Sequence, residues 1–166
     1  MSEQEPVVET KPPPVVEQRE DSGLEVRESK IEGAGQGLFA TRDFKEDEEI
    51  CQYRGTIRTF KQMWQMKLHE KEYVMGGFGL NVHVDAGPHP EILARYINDN
   101  LDETKLNARF KKIKFCDPKK CHAQVRALRD IAAGEEIYCS YGNIYWKCRE
   151  KKGDGDGDAA EPADGA

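Results

Sequence analysis

The sequence predicts a single β-rich α+β domain. Three observations predict it: short stretches of alternating apolar and polar residues, glycine or acidic turns between them, and one apolar run at helical spacing. A chain of 166 residues is long enough for one domain with a core and short for two. Apolar side chains make up 37% and charged ones 34%, a polar balance for which the two ends account. Residues 1–22 hold six acids against Lys11 and Arg19, with Pro6 and the run Pro12-Pro13-Pro14, and residues 153–166 read GDGDGDAAEPADGA. Neither end has the apolar surface to offset the entropy of ordering, so disordered acidic tails are expected over 1–22 and 151–166, around a folded 23–150.

Taken in order, Leu24-Glu25-Val26-Arg27 alternates as a half-buried strand does. Gly33, Gly35 and Gly37 interrupt the chain before an apolar stretch at 38–41, and a polar turn over 45–49 leads to a strand at 50–53. The one helix is expected over 59–72, where Phe60, Met63, Trp64 and Leu68 recur at three- and four-residue steps behind Thr59 as N-cap. Strands follow at 73–78 and 80–84, split by Gly79, and at 108–115 and 123–128, which flank the turn Asp117-Pro118-Lys119-Lys120. Gly134 precedes a last strand at 136–139.

Charge and cysteine usage narrow the function. The net charge is −6, of which residues 1–22 contribute −4 and residues 153–166 contribute −5, leaving a mildly basic +3 over residues 23–152. That excess is too small for a module that binds nucleic acid through a dense cationic face, and no direct nucleic-acid contact is expected. The acidic tails keep the chain soluble and can attract basic peptides. No signal segment and no apolar run of about 18 residues is present, so no membrane association is expected. Five cysteines without a framework of spacings point to a reducing, intracellular setting.

Four separated segments carry chemistry. They are Ser29 to Ala40 with its three glycines, followed by Tyr53-Arg54-Gly55; Val84-Asp85-Ala86; Arg95-Tyr96-Ile97-Asn98; and Gly134-Glu135-Glu136-Ile137 leading to Ser140-Tyr141-Gly142. In order and spacing they resemble the glycine loop, the tyrosine strand, the arginine-aromatic-x-asparagine segment and the terminal glutamate-glutamate…tyrosine-glycine motif of SET domains, over about residues 24–146. The resemblance implies a SET fold of small curved sheets, few short helices and a C-terminal segment threaded under a loop, an exception to the rule against knots. It implies an S-adenosyl-L-methionine-dependent protein-lysine N-methyltransferase, acting on a histone tail or another basic peptide that enters opposite the cofactor, and hence a nuclear rather than cytoplasmic setting. So short a core, without the flanking modules of many relatives, leaves a homodimer as one way to complete the site.

Carried over residue by residue, the resemblance sets the cofactor against Ala34, Gly35 and Gln36, with Arg95, Asn98, Asp99, Tyr141 and Trp146 around it; Trp146 reads equally as a lid over the adenine and as the docked aromatic of a terminal helix. Freed backbone in such a loop lets a ligand approach main-chain groups, although an ordinary glycine-rich hairpin reads the same way. Tyr141 and Tyr53 match the catalytic and channel tyrosines, and Tyr53, Tyr138 and Cys139 are expected to line the substrate channel. Methyl transfer needs a neutral amine held in line with the donor carbon, and a lysine, with a pKa near 10.4 in water, sheds its proton more readily in a dry aromatic channel. Cys139 stands where relatives often have phenylalanine or tyrosine, and the smaller side chain predicts methylation beyond the first step. The family's asparagine-histidine-serine is Asn98-Asp99-Asn100 here, and its second asparagine is read as Asn107 in a longer loop. Glu135 and Glu136 are expected to orient the fold rather than act as acid and base. Cys116-x4-Cys121-His122 lacks a fourth ligand, and Cys148 alone stands where many relatives have a zinc-binding cluster, so no metal is expected. A catalytically weak SET-like binding module and a β-rich scaffold with a structural glycine loop fit the same residues.

Overall fold

The computed structural model describes residues 22–143 together with residues 145 and 146. The expected tails, apart from Ser22, lie outside the described residues, as does Cys148. β1 (Leu24–Glu28) pairs antiparallel with β2 (Gln36–Ala40), Leu24 opposite Ala40 and Glu28 opposite Gln36. The loop between them closes when the Ser29 amide donates to the Gly35 carbonyl at 2.8 Å. Gly33 and Gly35 adopt φ of 77° and 72° there, backbone that side chains with a Cβ disfavour.

A second antiparallel sheet has the order β3 (Glu49–Tyr53), β8 (His122–Ala127), β7 (Ala108–Ile113). A third sets β6 (His83–Asp85) between β4 (Thr56–Arg58) and β5 (Val74–Met75). The three sheets meet around Leu38, Phe44, Val84, Ile97, Val125, Ile131 and Ile137, all 1% exposed or less. Residues 136–139 lie at the centre and touch three elements at once. Glu136 bridges Phe39 antiparallel, while Tyr138 and Cys139 bridge Asn98 and Ala108 in parallel. The Ile137 amide donates to the Leu38 carbonyl at 2.8 Å and the Cys139 amide to the Asn98 carbonyl at 3.1 Å. This is the mostly-β architecture of small sheets and few short helices that the resemblance implies.

Several elements differ from their expected spans. The helix α1 runs only over Phe60–Gln65. Thr59 caps it as expected, in a capping box with Gln62, but Met66 is extended and the chain continues as a 3-10 turn over His69–Tyr73. The apolar stripe faces outward: Phe60, Trp64 and Leu68 are 59%, 77% and 58% exposed, and no residue of α1 is buried. With no core to pack against, nothing extends so short a helix. The strands expected at 73–78 and 80–84 shrink to β5 and β6 because positive φ at Gly77, Gly79 and Asn81 breaks the extended run. Residues 136–139 form isolated bridges rather than a ladder, and 117–120 close the β7–β8 hairpin with a 3-10 turn capped by the Asp117 side chain. Among the described residues no helix is long and apolar enough to cross a membrane.

An outward stripe carries little folding energy. Trp64→Ser is expected to shift the free energy of unfolding in urea by no more than about 0.5 kcal/mol, whereas Ile137→Ala at the central segment costs about 2–5 kcal/mol.

Candidate active site

The site is assembled around residues 136–141. Glu136 is 2% exposed, and its carboxylate accepts the Ser29 hydroxyl at 2.6 Å, the Lys30 amide at 2.7 Å and the Tyr138 hydroxyl at 2.7 Å. It therefore fastens the glycine loop to the C-terminal segment. A Cβ on Gly37 would lie 2.2 Å from Glu136 Oε1, so glycine is required for close approach at that position. Asn107 completes the fastening: its Nδ2 donates to the Glu136 carbonyl at 2.8 Å and its Oδ1 accepts the Tyr138 amide at 2.9 Å.

Tyr53, at the end of β3, and Tyr141 come together. The Tyr53 hydroxyl donates to the Tyr73 carbonyl at 2.5 Å, and the Tyr141 hydroxyl donates to the Ile97 carbonyl at 2.6 Å. Burial raises the Tyr141 phenol above its ordinary value near 10, and the facing Tyr145, Tyr53, Asp99 and Cys139 add to the rise. Burial also raises Tyr53, with Asp85 adding to it. Both are neutral phenols whose protons are already given to main-chain carbonyls. Cys139 is fully buried, and burial, then the neighbouring Cys51, holds its thiol well above the usual range.

The glycine loop and the 95–99 segment lie beside this pair. Ala34, Gly35 and Gln36 are exposed, and a Cβ on Gly35 would meet nothing within 4 Å. Asn98 Nδ2 donates to the Gln36 carbonyl at 2.9 Å, so that carbonyl is engaged within the protein. The Arg95 guanidinium lies 4.2 Å from the Tyr73 ring centroid, and its buried Nε has no hydrogen-bond partner. The Asp99 carboxylate accepts from the Tyr141 amide at 2.8 Å and from Trp146 Nε1 at 2.9 Å. Trp146 stacks on Tyr141, with ring centroids 6.2 Å apart, and Tyr145 meets both rings edge-on.

Residues 35–142 match the SET domain. The chain belongs to the SET-domain family. Among curated SET relatives it is 29% identical over 74% of its length to the "N-lysine methyltransferase KMT5A-A" of Danio rerio. It is 28% identical over 70% of its length to the "Histone-lysine N-methyltransferase EZH2" of Chaetomium thermophilum, and 29% identical over 71% to the "Variant-silencing SET domain-containing protein" of Plasmodium falciparum. It spans only 36%, 8% and 5% of those proteins. The structure resembles "ctPRC2 in an autoinhibited conformation bound to S-adenosylmethionine", with a TM-score of 0.59 at 27% identity over 78% of this chain and 17% of that one.

Of the residues picked from the sequence, this SET domain brings Tyr53, Cys139, Tyr141, Asp99 and Trp146 into one cluster, with Asn98 linking it to Gln36. Tyr138 stands apart. Its hydroxyl is bound to Glu136, and it lines a surface groove with Lys30, Thr104, Lys105 and Arg129 rather than facing the other two phenols; burial and then the Glu136 bond push it up to about 12. Residues at 138 and 141 point their hydroxyls to different partners because an extended segment alternates its faces. Two neighbours were missed. Tyr73 supplies the carbonyl that takes the Tyr53 proton, which a side-chain motif does not record. Asp85 is 1% exposed and paired with Arg58 at 2.9 Å, and the Val84-Asp85-Ala86 motif marked it without a role. Among the described residues no group of three or more His, Cys, Asp or Glu is placed to hold a metal ion.

A phenol held protonated in the folded state binds its proton more tightly than it does in the unfolded chain. Its contribution is then fully present below pH 10 and is lost as the pH rises beyond it. Melting temperatures measured from about pH 8 to about pH 11 are expected to fall at the alkaline end, and to fall less steeply in Tyr141→Phe.

Proposed function

We propose that this SET domain is an S-adenosylmethionine-dependent protein-lysine N-methyltransferase, acting on a basic peptide such as a histone tail and therefore in the nucleus. The observation that carries the reading is the pair of neutral phenols, buried Tyr53 and half-buried Tyr141, with both protons committed to carbonyls. Phenols so arranged present lone pairs to a reacting group and have no proton to give it. With pKa values raised by burial, neither is a base at neutral pH. Their work is to accept: amine N–H bonds orient toward them, and weak C–H···O contacts hold a methyl group in transit. The proton of the substrate lysine goes to water as its ammonium loses hydration beside Tyr53 and Tyr141, since burial disfavours the charged form.

The cofactor fits the residues present. Gly35 is open at the loop, and Arg95 offers a buried Nε in need of an acceptor, which suits the carboxylate of an amino-acid ligand. Ala34 and Gly35, with Arg95 and Asn98, would hold it, and Trp146 would cover it. When bound, it supplies a methyl group on a positively charged sulfur, activated for attack by a neutral amine. Two relatives named as lysine methyltransferases and a similar structure named as holding S-adenosylmethionine support this reading.

Incubation with tritiated S-adenosylmethionine and core histones, or a cell lysate, tests it. Label is expected on lysine, reduced about a hundred-fold or more in Tyr141→Phe. Thermal stabilisation by S-adenosylhomocysteine with no incorporation from any protein would instead make the domain a binding module.

Cys139 bears on how far the reaction runs. Its thiol, near Tyr141, is smaller than the phenylalanine or tyrosine of many relatives, and on this reading the difference accommodates an amine that already carries a methyl group. Mass spectrometry at long times is expected to show di- or trimethyl-lysine for the parent chain, and monomethyl-lysine alone for Cys139→Phe.

A further inference from the structure

Asp99 follows Asn98 where the SET pattern has histidine, and the two side chains are not interchangeable in their hydrogen bonding. Three N–H groups converge on the Asp99 carboxylate. Oδ2 accepts the Tyr141 amide at 2.8 Å and Trp146 Nε1 at 2.9 Å, while Oδ1 accepts the Leu101 amide at 3.0 Å. Only a carboxylate offers two acceptor oxygens and no donor. An amide would turn an NH2 toward one set of donors, and a neutral imidazole has a single acceptor. The third bond also holds a turn in which Leu101 takes φ of 62°, a left-handed conformation that needs outside support.

The other end of the contact is as particular. Trp146 is parallel to Tyr141 within 11°, and Tyr145 packs edge-on against both, 4.7 Å from Tyr141 and 5.2 Å from Trp146. One carboxylate oxygen therefore holds both the main chain of Tyr141 and the indole that stacks on its ring. We propose that Asp99 is a positioning residue: its carboxylate clasps the aromatic segment at 145–146 onto Tyr141, and so fixes the placement of the Tyr141 hydroxyl and closes the cofactor side. Its side chain is spent on this clasp and is not itself a cofactor contact, which revises the role that the resemblance suggests for it. The clasp rests on the proposed methyltransferase reading only where it concerns cofactor and turnover; the closed aromatic stack stands without it.

The chain has two tryptophans, so Trp64→Phe leaves Trp146 as the sole indole reporter. In that background, without any cofactor, Asp99→Asn is expected to move the emission maximum to that of a solvent-exposed tryptophan while far-ultraviolet circular dichroism stays unchanged. Trp146→Phe, made in the parent, keeps a ring and loses the N–H. Both single variants are expected to weaken S-adenosylhomocysteine binding about ten-fold or more, and the double variant no further than the weaker single one. The proposal is overturned if the emission of Asp99→Asn matches its parent, or if the two substitutions weaken binding additively. Should Asp99→Asn unfold, Trp146→Phe alone decides: unchanged affinity in that variant removes the clasp. Absence of cofactor binding by the parent chain would count against the methyltransferase reading, while the emission shift would still report the clasp.

Discussion

A single buried carboxylate sets the terms for the rest of the domain. Glu136 sits in the core with four donors: the Ser29 hydroxyl and Lys30 amide at the start of the glycine loop, Asn98 Nδ2 at 3.5 Å, and the Tyr138 hydroxyl on the segment that carries Tyr141. Burying a charge is costly unless it is fully hydrogen-bonded, and here the bonds are also the connection between the two walls of the site. The same carboxylate leaves no space for a Cβ at residue 37. One glycine of the loop is thus explained by packing against an acid a hundred residues away, while Gly33 and Gly35 are explained by backbone conformation.

The chemistry follows from where phenolic protons go. Because Tyr53 and Tyr141 both donate to main-chain carbonyls, in the proposed methyltransferase their identity as tyrosine serves geometry and electron pairs, not acid–base exchange. Tyr138, only three residues from Tyr141, gives its proton to Glu136 and belongs to the framework. The same residue type therefore has two roles within one short segment, distinguished by which face of an extended chain it occupies.

Much of this was legible in the sequence. The positions of most strands along the chain, the Thr59 cap, the turn at 117–120 and the four motifs all came from local patterns that packing then reinforced. The helix was overextended because Phe60, Trp64 and Leu68 have helical spacing but face solvent, and spacing reports a common face without saying what covers it. Strands around Gly77, Gly79 and Asn81 were drawn too long for a related reason: positive φ at those residues ends a strand whatever the alternation beside them. Within the site, side chains with motif membership were found, while the Tyr73 and Ile97 carbonyls were not, since every residue has a carbonyl and only the fold selects two. The departure at Asp99 was visible as a letter. Its meaning was not, because the indole that answers it lies 47 residues further on.

The placement of residues 136–139 has a consequence for how the protein is made. The stretch that joins β2, the Asn98 segment and β7 is among the last of the domain to be synthesised, so the earlier sheets emerge from the ribosome with an apolar slot between them. Until it arrives, Leu38, Asn98 and Ala108 lack the neighbour that each meets in the folded domain, so the earlier sheets cannot close their core on their own.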